Sequence, residues 1–155
     1  MISDDAAAFA ETLTPEGRLL GIDLGTKTVG LALSDRGRSI ATPMETLKRG
    51  KFTADARTLQ AICAEHGIIG IVLGLPINMN GTEGPRAQST RAFAGNLGRQ
   101  LSLPILLWDE RLSTSAVTRT LIDANMSRKR RAEVVDKIAA GYILQGALDA
   151  LARAA

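Results

Sequence analysis

Thiol and imidazole groups are almost absent from this 155-residue chain, which has one cysteine, Cys63, and one histidine, His66. A single cysteine excludes an internal disulfide and any zinc site built from several cysteines. Cys63 falls in an apolar stretch with helical spacing, so we predict a core residue and not a nucleophile. His66 stands at the predicted end of that helix, where we expect a cap or surface residue. Together these scarcities argue against zinc hydrolases and Cys/His hydrolases.

Aromatic residues and long apolar runs are also scarce. Aromatics make up 3% of the chain, so we do not expect a stacking platform for unpaired bases to dominate binding. No apolar run approaches the roughly 20 residues that a membrane span needs. The N-terminus lacks the basic start and apolar centre of a secretory signal, and it is too acidic for an organellar transit peptide. We therefore expect a cytoplasmic protein with no membrane partner.

The charges that are present are distributed unevenly. Residues 1–17 contain four acids and no base, so the rest of the chain holds all 19 Lys and Arg against 12 Asp and Glu, an excess of seven bases. Such a surplus favours a polyanionic partner such as nucleic acid, although a basic surface can also serve solubility alone. We predict that residues 1–17 are a flexible leader or a short helix, and that residues 18–155 form a single domain.

The apolar pattern predicts three strands, then helices and strands in alternation. Residues 19–24 and 29–34 read as a hairpin closed by Gly-Thr-Lys-Thr, and residues 39–42, stopped by Pro43, as a third antiparallel strand. The later elements follow helical or continuous apolar spacing: a helix ending at Gly67, strand 68–75, a helix after loop 76–85, strand 105–108, a helix from Ser113, and a final helix over 132–152.

This order describes an α/β fold with a mixed five-stranded sheet. The first three strands are expected to be antiparallel and the last two parallel, with helices packed on both faces. Parallel strands place ligand sites at their C-terminal ends. The acids at those ends are therefore the first candidates for a functional site.

Four acids stand out by their positions. Asp23 lies inside the first apolar strand, where a carboxylate is costly unless it is paired, hydrogen-bonded or bound to a metal. Asp109 and Glu110 directly follow the last predicted strand. Asp136 is predicted in the first turn or so of the final helix, where the helix macrodipole alone could explain it. Asp109 or Glu110 could likewise form only a surface pair with Arg111.

A carboxylate cluster without cysteine or histidine suits particular metal ions. Oxygen ligands are those that Mg²⁺ and Mn²⁺ prefer. Paired ions held by carboxylates about 4 Å apart can activate water on one side of a phosphodiester and stabilise the leaving oxygen on the other. This chemistry agrees with the basic charge of the chain after residue 17.

Four segments carry a family resemblance: GIDLGTKTVGLALSD, IVLGLPINMNGTEGPRAQ, WDERLST and VDKIAAGYILQ. In this order and at these spacings they resemble the YqgF/RuvX family over about residues 18–150. The resemblance implies an RNase H-like fold related to the RuvC-type Holliday junction resolvases. The family is described as a nuclease that matures the 5′ end of 16S rRNA, and also as a Holliday junction resolvase. We therefore expect a nuclease with pre-rRNA or branched DNA, and ribosomal precursor particles, as its partners.

The resemblance also implies roles for individual acids. Asp23 matches the first-strand aspartate of RNase H-like enzymes, Glu110 matches the acid of the family's DER segment, and Asp136 matches the acid that opens the last helix. All three are expected to hold Mg²⁺ or Mn²⁺ for attack of water on phosphorus. Asp109 is the weaker candidate of its pair, because successive strand residues point to opposite faces.

Polar and basic residues near these acids are candidates for nucleic-acid contact. Loop 76–84 is expected to offer free backbone N–H groups as a phosphate cradle, with Asn80 as a polar contact. The basic run after Ser127 is either a solvated loop or a mobile cationic loop that holds a phosphate backbone. The contact residues that we predict are Thr26, Lys27, Asn80, Arg111, Arg128, Lys129, Arg130 and Arg131.

Other functions stay open at this point. An Asp-x-Gly-Thr hairpin also begins the actin, sugar-kinase and Hsp70-type ATPases, but these enclose a nucleotide between two such domains, and 155 residues supply one. A catalytically silent nucleic-acid-binding module with the same fold is a third class. A junction resolvase would need two active sites and hence a symmetric dimer, and the sequence leaves monomer and homodimer open.

Overall fold

The computed structural model describes residues 1–112 and 128–154, with side chains from residue 135 onward in the second range. The strands are β1 (Ile2–Ser3), β2 (Arg18–Leu24), β3 (Thr28–Ser34), β4 (Ala41–Lys48), β5 (Ile68–Leu75) and β6 (Ile105–Asp109). The helices are α1 (Ala6–Glu11), α2 (Phe52–His66), α3 (Pro85–Leu101) and α4 (Arg128–Ala154), and a 3₁₀ turn spans Glu110–Leu112. None of the helices in these ranges combines the length and the apolarity that crossing a membrane requires.

The strands form one mixed sheet in the order β1-β6-β5-β2-β3-β4. Strands β2, β3 and β4 pair antiparallel, whereas β5 and β6 extend the sheet in parallel from β2. This confirms the predicted mixed sheet, but the predicted count of five strands is one too low. The additional strand, β1, pairs with β6 over two residues, a length too short to give a period in the sequence.

The N-terminal residues contribute a helix to the packed core. Helix α1 begins after Asp5, whose carboxylate accepts a hydrogen bond from the Ala7 N–H at 3.1 Å. Phe9 is completely buried among core residues. Asp4 lies 3.3 Å from Arg91 of α3. Of the two alternatives for residues 1–17, the structure has the short helix, and it is packed against the domain instead of extending away from it.

Strand β4 continues through the proline that was predicted to stop it. The predicted strand covered residues 39–42, whereas β4 spans Ala41–Lys48 and includes Pro43. Because β4 is the edge of the sheet and pairs only with β3, a residue without an N–H can be accommodated there. The β3–β4 register also shifts between Leu31 and Ala32, beside the position that pairs with Pro43.

Two cores lie on opposite faces of the sheet. Leu20, Ile22 and Leu24 of β2 are buried in one core with α2 and α3. Leu19 is buried in the other with α4. The alternation of β2 and the helices on both faces are therefore confirmed. Asp23 belongs to the face that α4 covers, since it alternates with Ile22 and Leu24.

Helix α4 begins earlier than predicted. It starts at Arg128, so the backbone of the basic run Arg128–Arg131 is helical, and the prediction of a loop there is wrong. Lysine and arginine are good helix formers, but four in succession have no apolar stripe that would indicate a helix. Helix α4 also buries the predicted stripe of Ala140, Ile143 and Ala147. The helix predicted from Ser113 lies outside the described residues.

Candidate functional site

Asp23 lies near the C-terminal end of β2, at the centre of the sheet, and is 2% exposed. It pairs with Gly30 of β3. On the other side, Ile22 is level with Leu73 of the parallel strand β5, so the next residue along, Gly74, lies level with Asp23. The carboxylate therefore has a glycine beside it on each neighbouring strand. Because glycine has no side chain, neither neighbouring strand places a side chain on the α4 face of the sheet at this level.

Helix α4 contacts the bare surface at Gly30. A Cβ placed on Gly30 would clash with the backbone carbonyl of Asp136 and lie 2.8 Å from the Asp136 Cβ. The glycine thus allows α4 to approach β3 directly beside Asp23. Asp136 lies in the third turn of α4 and not in the first as predicted, because the helix begins at Arg128. The macrodipole effect fades within the first turn, so it does not explain this acid.

The Asp136 carboxylate is held at the β2–β3 turn. Its Oδ2 atom accepts a hydrogen bond from the Thr28 hydroxyl. A Cβ placed on Gly25 would lie 3.6 Å from the same Oδ2 atom. Thr28 was not among the predicted site residues, because no local spacing relates it to a helix 108 residues away. The only local signal was its place in the Gly-Thr-Lys-Thr turn.

Glu110 approaches from the opposite side of Asp23. It is the first residue of the 3₁₀ turn that follows β6. A Cβ placed on Gly74 would lie 3.2 Å from the Glu110 Cγ, 3.3 Å from its Cδ and 2.6 Å from the Ile143 Cδ1 of α4. Glu110 therefore folds back over β5 on the face that α4 covers.

The three predicted acids thus share one face and one end of the sheet. Asp23 extends from β2, Asp136 lies over β3 and Glu110 over β5, and neighbouring strands are about 4.8 Å apart. Among the described residues, no group of three or more His, Cys, Asp or Glu side chains is arranged to hold a metal ion. Carboxylate oxygens are nevertheless the ligand type that a hard divalent cation prefers. The arrangement brings the acids together without forming a finished metal site.

Asp109 is committed to a different partner. Arg111 donates from Nε and Nη2 to both carboxylate oxygens of Asp109, at 2.7 to 3.1 Å. The Arg111 side chain holds the pKa of the Asp109 carboxyl below its ordinary value, and Asp109 raises the pKa of the guanidinium in return. The sequence allowed this surface pair. Of the two neighbouring acids, Asp109 and Glu110, only Glu110 therefore faces α4. The charge of Arg111, a predicted contact residue, is compensated by Asp109.

Three N–H groups of loop 76–84 form hydrogen bonds within the loop. The Asn80 side-chain oxygen accepts hydrogen bonds from the Thr82 N–H at 3.1 Å and the Thr82 hydroxyl at 2.6 Å. The N–H groups of Asn78 and Gly81 bond to carbonyls within the same loop. The predicted cradle is therefore wrong for these three amides. Asn80 itself is exposed. A Cβ placed on Gly81 would lie 3.7 Å from the Arg111 Nη1 atom.

Two of the other predicted contact residues belong to the β2–β3 turn. Thr26 and Lys27 are exposed in the β2–β3 turn. The residues Arg128, Lys129, Arg130 and Arg131 begin α4, and their side chains lie outside the described part of the structure.

Two further arginines, which the sequence did not single out, reach the β2–β3 turn. Arg49 donates to the Gly25 carbonyl at 2.7 Å, and Arg86 to the Leu24 carbonyl at 3.5 Å. Both belong to the basic surplus, but nothing in their spacing relates them to the turn.

Cys63 lies in a core and His66 at the end of a helix, as predicted. Cys63 is buried in the core that α2 and α3 share. Burial raises the pKa of its thiol to about 11, so it is a neutral core residue near pH 7. His66 is the last residue of α2, which ends at Gly67 in the left-handed conformation with φ of 64°.

The sheet order and the acids at its centre define the class of fold as that of the RNase H-like resolvases. The RuvC protein of Thermus thermophilus, solved in complex with a Holliday junction substrate, superposes with a TM-score of 0.56 at 9% identity, covering 88% of this chain and 94% of RuvC. A second structure of Thermus thermophilus RuvC gives a TM-score of 0.52 at 11% identity, covering 86% and 95%. At this identity the likeness establishes the fold.

Within that class, the chain belongs to the RuvX family. The family model described as "RuvX: Holliday junction resolvase" matches residues 17–150, which confirms the resemblance seen in the sequence. A relative from Cereibacter sphaeroides is 62% identical, over 97% of this chain and 94% of the relative. A relative from Paramagnetospirillum magneticum is 62% identical over 92% of each chain. One from Paracoccus denitrificans is 58% identical over 97% and 96%. All three are named as candidate pre-16S rRNA nucleases.

Proposed function

We propose that this protein is a metal-dependent nuclease that hydrolyses phosphodiester bonds in the maturation of the 5′ end of pre-16S rRNA. The observation that carries the proposal is the gathering of Asp23, Glu110 and Asp136 on one face, beside glycines that leave room for them. The names of relatives at 58% to 62% identity over nearly the whole chain support the substrate. Such a substrate would place the protein in the cytoplasm, with ribosomal precursor particles as partners.

Asp23, Glu110 and Asp136 are the residues that would hold Mg²⁺ or Mn²⁺. Bound there, the metal would supply Lewis-acid stabilisation of the phosphate charge and lower the pKa of water. Asp23 contributes a carboxylate fixed by the rigid centre of the sheet. Thr28 orients the Asp136 carboxylate through its hydroxyl. Glu110 lies on the 3₁₀ turn after β6 and is packed beside Gly74.

The charges around the acids serve the same chemistry. Three carboxylates on one face repel a phosphodiester, so the substrate needs compensating cations on the protein as well as the metal. The excess of seven bases after residue 17 supplies them. We assign contacts with the nucleic acid to Thr26, Lys27, Asn80, Arg111 and the basic residues 128–131.

Resolution of Holliday junctions in DNA is the second candidate function. The description of the matching family model favours it. The phosphodiester chemistry would be the same, but symmetric cleavage of a four-way junction needs two active sites related by a two-fold axis. A monomer would suit the rRNA substrate, and a homodimer the junction. A catalytically silent nucleic-acid-binding module is the third candidate. The presence of acids at all three predicted positions counts against it.

The test compares cleavage by the parent protein and by Asp23→Asn. Each is incubated with precursor 16S rRNA and with a synthetic four-way junction, in Mg²⁺, in Mn²⁺ or in chelator. We expect metal-dependent cutting by the parent and at least a roughly hundredfold loss in the variant, since a buried ligand loses its charge. The preferred substrate then decides between rRNA maturation and junction resolution.

Asp149→Asn is the matched control for that experiment. Asp149 is exposed near the far end of α4, and its side-chain oxygen accepts a hydrogen bond from Gln145 at 3.0 Å, which asparagine preserves. We expect this control to cut like the parent. Equal cutting by Asp23→Asn and the parent would contradict the proposed site. Hydrolysis of ATP without nucleic-acid cleavage would favour the ATPase alternative.

A further inference from the structure

A small cationic cavity lies beside the β2–β3 turn, on the side that α2 and α3 cover. It is bordered by Gly25 and Thr26 of the turn, by Arg49 after β4, and by Arg86 and Ser89 in the first turns of α3. Its volume of about 50 Å³ is far below the roughly 300–1,000 Å³ of pockets that enclose a small-molecule ligand. The cavity therefore suits a group the size of a phosphate and not a whole free nucleotide.

The described residues that border this cavity give it a positive charge. Two of them are arginines and none is an acid. Over the described ranges, neither Arg49 nor Arg86 forms a salt bridge, whereas Arg91 is paired with Glu83 and Arg111 with Asp109. Guanidinium groups without a carboxylate partner attract an anion into a concave site, and their flat fork of N–H groups matches a phosphate.

Both guanidinium groups are anchored to the turn by only part of their donors. Arg49 Nη1 donates to the Gly25 carbonyl at 2.7 Å, and Arg86 Nη2 to the Leu24 carbonyl at 3.5 Å. The backbone N–H of Arg49 also bonds to the Lys27 carbonyl at 2.8 Å. A guanidinium has five N–H donors, so each side chain retains donors for a ligand. The anchoring reduces the entropy that binding would otherwise cost.

The cavity and the acids meet at one residue of the turn. The Gly25 carbonyl accepts the Arg49 hydrogen bond. A Cβ placed on Gly25 would lie 3.6 Å from the Asp136 Oδ2 atom. A nucleic-acid strand that crosses the turn can therefore place one phosphate between the arginines and another near the acids. Thr26 and Lys27, both exposed at the tip of the turn, lie along the same path.

We propose that Arg49 and Arg86 form a phosphate-binding site that holds the backbone of the nucleic acid across the β2–β3 turn from the acids. This inference deepens the proposed nuclease function and rests on it. The site reads no base, because it meets only the backbone. Its effect is to fix the register of the strand relative to the site of cleavage. The competing explanation is that the two arginines only brace the turn.

The test measures binding without cleavage. The variants Arg49→Gln, Arg86→Gln and the double variant are titrated with fluorescent precursor-rRNA and four-way-junction fragments in chelator, over a range of salt concentrations. We expect several-fold weaker binding for each variant at low salt. The slope of log K against log salt should also decrease by about 0.7–0.9 for each phosphate that the variant no longer neutralises.

Two kinds of control separate phosphate contact from bracing. Arg49→Lys and Arg86→Lys keep the charge but not the fork, so they should keep the salt slope while binding less tightly than the parent. Arg36→Gln also removes one charge. Arg36 lies in the turn after β3, at the opposite end of that strand, and makes an exposed pair with Glu16 at 3.6 Å. We expect this variant to bind with the salt slope of the parent.

Thermal unfolding of each variant completes the experiment. Because the hydrogen bond from Arg86 is long, Arg86→Gln should unfold within a few degrees of the parent and still bind more weakly. Unchanged affinity and salt slope in a folded Arg86→Gln and in the double variant would overturn the inference. So would a lower melting temperature combined with an unchanged slope, which is the result that bracing predicts.

Failure of this inference is distinguishable from failure of the proposed function. If the parent cuts with metal and the variants bind as the parent does, the nuclease proposal stands and the phosphate site falls. If the parent binds but does not cut, and the variants show a smaller salt slope, the phosphate-binding site is supported. The nuclease proposal is then wrong. If the parent binds neither nucleic acid, both proposals fail.

Discussion

At the scale of single residues, the candidate site depends on hydrogen bonds that join distant parts of the chain. Thr28 and Asp136 are 108 residues apart and share a hydrogen bond. Arg111 donates a hydrogen bond to the Asp109 carboxylate at 2.7 Å. Single substitutions at these positions therefore test how the site is positioned, without altering the three proposed ligands.

Thr28→Val should slow cleavage while leaving substrate binding nearly unchanged. Valine keeps the shape of threonine but removes the hydroxyl that orients the Asp136 carboxylate. Hydrogen bonds to charged groups contribute about 1.5–3 kcal/mol, so we expect at least a roughly tenfold lower kcat with a similar KM. Thr28→Ser restores a hydroxyl and should recover most of the rate. A kcat equal to that of the parent in Thr28→Val would show that Thr28 positions nothing.

The Asp109–Arg111 pair should make a small contribution to stability that depends on pH. Because the pKa of Asp109 is lowered in the folded state, its contribution is fully present above the ordinary Asp pKa of about 3.9. It is lost as the pH falls from there through the folded-state value. Both side chains are partly exposed, so Arg111→Gln should lower the free energy of unfolding only slightly at pH 7. Urea unfolding at pH 7 and at successively lower pH values checks this; a difference that grew toward acid pH would contradict it.

At the scale of elements, two glycines decide how closely helix and turn approach the sheet. Gly30 allows α4 to contact β3, and Gly74 leaves space for Glu110 and Ile143. Both belong to strands, where glycine is otherwise unfavourable. Close packing, and not a turn, is the reason for glycine at these two positions.

Gly30→Ala should destabilise the fold and reduce cleavage together. The added methyl group would meet the backbone of Asp136, which cannot rotate away, so α4 must move. Overpacking of this kind costs about 1–3 kcal/mol. Gly95→Ala is the control, because Gly95 lies in α3 and a Cβ there would meet only the end of Arg99, at 3.7 Å. We expect Gly95→Ala to be neutral or stabilising by up to about 1 kcal/mol in urea unfolding. A Gly30→Ala protein as stable as the parent would refute the close contact.

At the scale of the whole molecule, the N-terminal segment completes the domain. Strand β1 extends the parallel side of the sheet, and α1 places Phe9 in the core that contains α4. Arg91 joins Asp4 to Glu83 and thus ties this segment to the start of α3. The core that supports the acid face therefore includes residues from the segment that the sequence left as either a flexible leader or a short helix.

Phe9→Ala should lower the free energy of unfolding by about 3–5 kcal/mol, as expected for a large side chain removed from a core. Denaturant unfolding measures this loss. Ile40→Ala is the control, since Ile40 is 64% exposed, and it should change stability by no more than about 0.5 kcal/mol. An equally small effect for Phe9→Ala would mean that the first residues do not contribute to the domain.

Several features could be predicted from the sequence because they depend on local pattern. The alternation of β2 placed Asp23 on the opposite face from Ile22 and Leu24, and the Gly67 cap ended α2 where expected. The apolar run of β5 and the position of Glu110 after β6 also followed from neighbouring residues. The same local patterns carried the family resemblance, which the match over residues 17–150 confirms.

The sequence by itself thus determined the order of elements from β2 to β6, the mixed sheet and the acids as candidates, because strand period, turn residues and buried charge are local properties. Only the tertiary structure decided that Thr28 holds Asp136, that Arg49 and Arg86 meet at the β2–β3 turn, and that β1 and α1 belong to the core. These contacts join residues far apart in the chain, and two of the elements are too short to have a period. Long-range contacts follow from how the faces of the sheet are covered, which no single stretch of sequence contains.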